Sequence, residues 1–204
     1  MEGCKQLYFA STTAIANVKW DDLAMVHLPD NFVRATLDGE DLRILKSSYQ
    51  VMYPTLDLCQ SRLGQVIKKY ATVELGRITY GSRMSCRSLR SARVRAAWTF
   101  SDGTINSATL EVRPGFVNSF FSHEIQIQGH WTRHIFATMS WYKEHPSKDF
   151  YGNPVEVWQD QTLNGGSSTF MPVQRIASKF AAASQKVSDI DSIVVCPVPP
   201  RVFV

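Results

Sequence analysis

Residues 116–142 read FVNSFFSHEIQIQGHWTRHIFATMSWY, and this stretch decides the fold that the sequence predicts. Apolar and polar residues alternate around Ile125 and Ile127, and a second alternation places Met139 and Trp141 on one side. A period of two residues is typical of a β-strand with one buried face. We therefore predict long strands over residues 116–129 and 134–142, with Trp141 in the core.

The alternation continues on the N-terminal side, in residues 92–100. Val94 and Trp98 share one face of this predicted strand, with Trp98 in the core, whereas Arg93 and Arg95 share the opposite face. We expect the arginine face to be available to a partner. The Asp-Gly pair at residues 102–103 predicts a hairpin turn after this strand.

Further short strands are expected along the rest of the chain. They comprise a hairpin over residues 70–80 and strands at 155–158, 170–176 and 193–198. We also expect a break in the strands at 113–115, and we expect the latter part of 177–183 to be irregular. Seven or eight short strands with no helix between consecutive ones predict a mainly β fold with α+β character at the N-terminus. The expected architecture is an antiparallel β-barrel or sandwich preceded by a helical segment.

The helical segment precedes the strands. Asp38 is a candidate N-cap, and apolar residues at three- and four-residue steps predict a helix over residues 39–52. A weaker helical pattern follows over 59–70. We divide the chain into an N-terminal arm at 1–36, a helical segment at 37–70 and a β-rich domain at 71–204, the last two forming one compact unit.

Composition limits the class of protein. The chain has 204 residues, of which 44% are hydrophobic and 20% charged, which excludes a disordered or collagen-like protein. No apolar run is long enough for a membrane helix and no secretory signal is visible, so we expect no membrane partner and an intracellular location, with the nucleus as one candidate compartment. The four cysteines are scattered, which predicts free thiols, with Cys196 in the core.

Positive charge is concentrated between residues 62 and 95. This segment has nine basic residues and one acidic residue, whereas the formal net charge of the whole chain is only +4. Its densest part, residues 81–91, interleaves arginine with serine, and both side chains bind phosphate oxygens. The candidate phosphate-binding residues are Lys68, Lys69, Arg77, Arg83, Arg87, Arg90, Arg93 and Arg95. The alternative is that these cations pair with the acidic remainder of the chain.

Motifs for catalysis or cofactor binding are absent from the sequence. There is no phosphate loop, dinucleotide fingerprint or nucleophile elbow, so we expect no cofactor and assign no catalytic residue. His130 and His134 would lie about 13 Å apart on a strand, which is too far for one metal ion. A metal-dependent nuclease that uses Glu111 and Glu124, with Asp102 nearby, is retained as an alternative.

Aromatic residues offer a second binding hypothesis. Tyr142, Phe150 and Tyr151 flank the loop at 143–149 and are the aromatics that we expect to be exposed. Exposed rings can hold a methylated lysine or pack on a peptide. A protein–protein or histone-tail reader is therefore the alternative to nucleic-acid binding, and another protein is the second candidate partner.

Several short strings together carry a family resemblance. They are Tyr80–Arg83, Arg113–Gly115, Phe136–Pro146, Asn153–Trp158 and Pro172–Ile176. The chain over 36–199 resembles uncharacterised domains associated with transposable-element-like reading frames of marine invertebrates. This resemblance implies a nucleic-acid or chromatin setting and assigns no catalytic residue. The leading hypothesis is a non-enzymatic module that binds the phosphate backbone of DNA or RNA through its arginine- and serine-rich loop.

Overall fold

The computed structural model describes residues 19–58, 63–85, 89–163 and 165–198. Within these ranges it is mainly β, with a six-stranded antiparallel barrel and one α-helix near the N-terminus, which confirms the predicted fold class. The helix is α1 (Gly39–Met52). The strands are β1 (Val26–His27), β2 (Val33–Thr36), β3 (Val66–Tyr70), β4 (Thr72–Leu75), β5 (Ile78–Gly81), β6 (Arg93–Ala96), β7 (Arg113–Ile127), β8 (His130–Glu144), β9 (Glu156–Leu163), β10 (Phe170–Pro172), β11 (Ile176–Val187) and β12 (Ile190–Pro197).

The barrel closes in the order β6-β7-β8-β9-β12-β11, with β11 pairing back to β6. Five of its strands contribute to one buried cluster, which therefore fills the barrel. The members from these strands are Phe116, Tyr142, Trp158, Phe180, Ile193 and Val195. Closure removes the free edges that an open sheet of these strands would expose.

The hairpin of β7 and β8 extends well beyond the barrel. The register shifts between Val117 and Ser119, and such a bulge bends the strand that carries it. Past this bend β7 pairs with β3, β3 pairs with β2, and β10 pairs with β8, which makes an extended sheet beside the barrel. A separate small sheet has the order β1-β4-β5.

Helix α1 packs on this extended sheet. The side chain of Asp38 accepts a hydrogen bond from the amide of Asp41, as expected for an N-cap. Tyr49 contacts the ring of Phe136 edge to face, with the ring centroids 5.4 Å apart. Ser48 donates a hydrogen bond to the carbonyl of Phe170 in β10 at 2.8 Å, so the helix also ties down the edge of the sheet.

Several local predictions were wrong. Within 59–70, residues 66–70 form strand β3 instead of a second helix, and 59–62 lie outside the described residues. The expected break at 113–115 is the start of β7, because a proline is tolerated near the first residue of a strand. Residues 177–183 belong to strand β11 throughout: Ser178 and Lys179 pair with β6, and residues 180–183 pair with β12 in unbroken register. Cys196 is exposed instead of buried.

Gly115 permits the close approach of β7 and β8. A Cβ atom at this position would lie 2.8 Å from the carbonyl oxygen of Ser140 and 3.0 Å from the Met139 side chain. Glycine is therefore required at this position for steric reasons, since a Cβ atom would clash with backbone that cannot easily move.

Candidate nucleic-acid interface

Two of the predicted phosphate-binding arginines meet at one end of the barrel. The guanidinium carbons of Arg83 and Arg93 lie 4.8 and 5.7 Å from the centroid of the Phe116 ring. Arg83 is exposed and is positioned by its amide, which donates to the carbonyl of Val117 at 3.0 Å. Arg93 is half-buried beside Tyr142. We call Arg83, Arg93 and Phe116 the barrel-end arginine cluster.

The environment of Tyr142 reflects this cluster. Burial raises the pKa of the Tyr142 hydroxyl to about 12, while the charge of Arg93 and its hydrogen bond act in the opposite direction. The phenol is therefore neutral and can accept a hydrogen bond from Arg93. Asp160 also acts on this hydroxyl, and its charge raises the pKa.

Arg95 does not belong to this accessible cluster. Its side chain is only 3% exposed, and it forms an ion pair with Glu156, with 3.2 Å between Nη2 and Oε1. The register is consistent with the prediction that Arg93 and Arg95 share a face, because they pair with Phe116 and Pro114 of β7, which are two residues apart. That face turns into the barrel, so the assignment of Arg95 as a phosphate contact is wrong.

The other predicted cations are dispersed. Arg77 is exposed in the turn between β4 and β5, and Arg90 is exposed in the short 3₁₀ turn before β6. Lys68 is exposed on β3, whereas Lys69 is half-buried and lies near Asp41 of the helix. Arg87 falls outside the described residues.

Sequence reasoning missed a second group of cations around Lys68. The Lys68 ammonium lies 4.8 Å from the centroid of the Phe32 ring, and Arg34 is its cross-strand neighbour in β2. Arg133 of β8 donates to the hydroxyl of Tyr70 at 3.5 Å. These residues come from three separate segments, so only the strand pairing brings them together.

The predicted aromatic loop is partly exposed. Tyr142 is 1% exposed and belongs to the barrel core, so its assignment as a partner-binding residue is wrong. Phe150 and Tyr151 are exposed as expected, with their ring centroids 4.9 Å apart. The Tyr151 hydroxyl also accepts a hydrogen bond from Gln185, which ties this loop to β11.

Two other arginines serve the fold. Arg113 donates to the carbonyl of Phe100, and its guanidinium carbon lies 5.2 Å from the centroid of the Trp158 ring. Arg175 donates to the carbonyls of Ala97 and Thr109. Burial lowers the pKa of Arg175 to about 10. Both side chains are buried, so they hold the loop between β6 and β7 in place.

Two of the buried histidines, His123 and His134, are neutral and hydrogen-bonded. His123 accepts from the Tyr49 hydroxyl at Nδ1 (2.8 Å) and donates from Nε2 to the carbonyl of Gly64 (3.0 Å). His134 donates from Nδ1 to the carbonyl of Trp20 at 3.1 Å. Burial lowers the pKa of both imidazoles, that of His134 to about 4.

The carboxylates of the nuclease alternative do not form a metal centre in the described parts of the chain. Glu124 is exposed on β7 opposite Arg133, and Glu111 is exposed in the loop that precedes β7. Asp102 accepts hydrogen bonds from the amide and hydroxyl of Thr104, which lower its pKa. Within the described ranges, no three His, Cys, Asp or Glu residues are grouped to hold a metal ion.

Comparison with known proteins gives no relative from which a role could be carried over. No family model matches the chain, and no curated protein or solved structure matches it at a significant level. The fold defines a class, a mainly β protein built on a six-stranded antiparallel β-barrel. In the part of the chain that the structure describes, no helix has both the length and the apolar character to cross a membrane.

Proposed function

We propose that this chain is a non-enzymatic nucleic-acid-binding module whose barrel-end arginine cluster contacts the phosphate backbone. One observation carries the proposal: Arg83 and Arg93 both lie over the Phe116 ring, and neither forms a salt bridge with a described residue. Arg95 shows the contrasting arrangement, an arginine neutralised by an acid inside the barrel.

Physical chemistry supports phosphate as the ligand. A guanidinium group presents a planar fork of donors that matches two phosphate oxygens, and a position over an aromatic ring leaves donors at its edge accessible, although Arg93 also bonds to the Tyr142 hydroxyl. Contact with the Phe116 ring limits the freedom of both side chains before binding, and the amide hydrogen bond of Arg83 fixes its main chain, which reduces the entropic cost of ordering them. The resemblance to transposable-element-associated domains favours the same setting.

The salt dependence of binding tests this function. Fluorescence anisotropy is measured with labelled oligonucleotides of two unrelated sequences at two salt concentrations. The double variant R83A/R93A is expected to bind both sequences more weakly and by the same factor. Its salt slope should fall by about two units, roughly one for each phosphate that the variant no longer neutralises.

A matched arginine variant controls for the removal of charge. R43A removes an exposed helical arginine that is ion-paired with Glu40, and it should leave the salt slope unchanged. Because Arg93 is half-buried, thermal melting must show that R83A/R93A remains folded. If the unmodified protein shows no salt-dependent affinity for either oligonucleotide, the proposal is wrong.

A further inference from the structure

The extended sheet presents a second surface on the side that carries Lys68. Directly paired residues of an antiparallel sheet point to the same side. Lys68 pairs with Arg34 of β2 and with Ser122 of β7. Ser122 in turn pairs with Ile135 of β8. Arg133 and Trp131 lie two and four residues before Ile135, so the side chains of Arg133 and Trp131 point to the same side of the sheet as Lys68.

Aromatic rings accompany the cations on this surface. Trp131 is 69% exposed and Phe32 is 41% exposed, which is uncommon for rings of this size. The Phe32 ring is fixed against Tyr70, with 6.1 Å between the ring centroids, and Lys68 lies over it. We call the exposed set formed by Phe32, Arg34, Lys68, Trp131 and Arg133 the basic–aromatic face.

The charge of this face favours an anionic partner. Arg34, Lys68 and Arg133 form no salt bridge with any described residue. Glu124 is the carboxylate opposite Arg133, and one carboxylate against three cations leaves a net charge of +2 on these four residues. A polyanion is therefore complementary to this face, whereas a neutral peptide would leave the cations uncompensated.

We propose that the basic–aromatic face binds single-stranded nucleic acid, with bases stacked on Phe32 and Trp131 and phosphates held by the neighbouring cations. Proteins bind single strands by combining a basic surface with exposed rings, because unpaired bases offer their faces for stacking. In a duplex these base faces are already covered by neighbouring bases. The inference rests on the proposed function, which gives nucleic acid as the ligand, and it adds that single-stranded nucleic acid is preferred over a duplex.

The test compares single-stranded and duplex probes on the full chain. Labelled oligothymidylate and a blunt-ended duplex of the same length are titrated by fluorescence anisotropy. We expect tighter binding of the single strand, and W131A should weaken that binding roughly 5- to 100-fold. F32A should act in the same direction, while duplex binding changes by less than about twofold in either variant, since a duplex offers no free base face for these rings.

A matched aromatic control separates stacking from a general reduction of exposed surface. Phe150 is 61% exposed, against 69% for Trp131, but it lies in the loop before β9. F150A should therefore leave the affinities for the single strand and for the duplex unchanged. For the cations, K68A should lower the salt slope for the single strand by about one unit, and K186A on the hairpin of β11 and β12 should not.

The outcomes distinguish this inference from the function on which it rests. If the protein binds both probes equally and W131A changes neither affinity, the inference fails while the barrel-end function stands. If only a peptide or protein probe binds this face, the inference also fails. Absence of any salt-dependent binding in the unmodified protein would overturn both proposals.

Discussion

Arg95 and Glu156 are joined across the inside of the barrel, with Arg95 Nη2 3.2 Å from Glu156 Oε1. Their strands, β6 and β9, are not neighbours in the barrel order, so the ion pair connects opposite walls. Glu156 also accepts a hydrogen bond from the indole of Trp158 at 3.0 Å, which holds the carboxylate in place. The pair is therefore part of the packed barrel interior.

Removing one partner of this ion pair should destabilise the fold. We expect R95A to lower the free energy of unfolding by about 3 kcal/mol, because it leaves the Glu156 charge in a largely buried site. Urea denaturation measures the change, and R77A provides the control, since Arg77 is an exposed turn residue. A double variant R95M/E156Q should recover part of the stability. Equal stability of R95A and R77A would contradict this prediction.

The outcome for Arg95 illustrates what the sequence could predict. Alternation correctly placed Val94 and Trp98 together in the core, because a period of two is a local property of the chain. It could not reveal that the opposite face is also enclosed. That enclosure follows from the pairing of β6 with β11, two strands that are far apart in the chain, and no local pattern encodes it.

The same reasoning explains which parts of the candidate sites were found. Residues 39–52 were predicted as a helix within their observed bounds, because capping and periodicity are local signals. Phe32, Lys68 and Trp131 come from three distant segments, and their common face depends on strand register. The residues of the basic–aromatic face could therefore be recognised together only in the structure.

A Cβ atom at Gly115 should destabilise the barrel. G115A would place this atom 2.8 Å from the backbone carbonyl of Ser140, so β7 and β8 must separate. We expect the free energy of unfolding to fall by about 1–3 kcal/mol. G39A is the matched control, since nothing lies within 4 Å of a Cβ there and alanine favours the helix. Denaturation midpoints that move equally in both variants would refute the steric argument.

Arg175 should control the order of the loop at 97–112. R175M keeps an apolar stem of similar size but removes the donors to the carbonyls of Ala97 and Thr109, at a cost of about 3 kcal/mol. R175K should not restore stability, because a single ammonium cannot reproduce the guanidinium geometry. Hydrogen exchange should accelerate in this loop first. Unchanged exchange there in R175M would contradict the role assigned to Arg175.

Stability should fall on mild acidification because of His134. Burial lowers the pKa of this imidazole to about 4, whereas a histidine of the unfolded chain titrates near 6.5. Its contribution is fully present above about pH 6.5, and it is lost as the pH falls towards 4, because only the unfolded chain takes up the proton. The difference corresponds to at most about 3 kcal/mol. Unfolding free energies at several pH values measure how stability depends on pH, and H134F should weaken this dependence. H130F, which replaces an exposed histidine, is the control and should leave the dependence unchanged. A slope that persists unchanged in H134F would rule out His134 as its source.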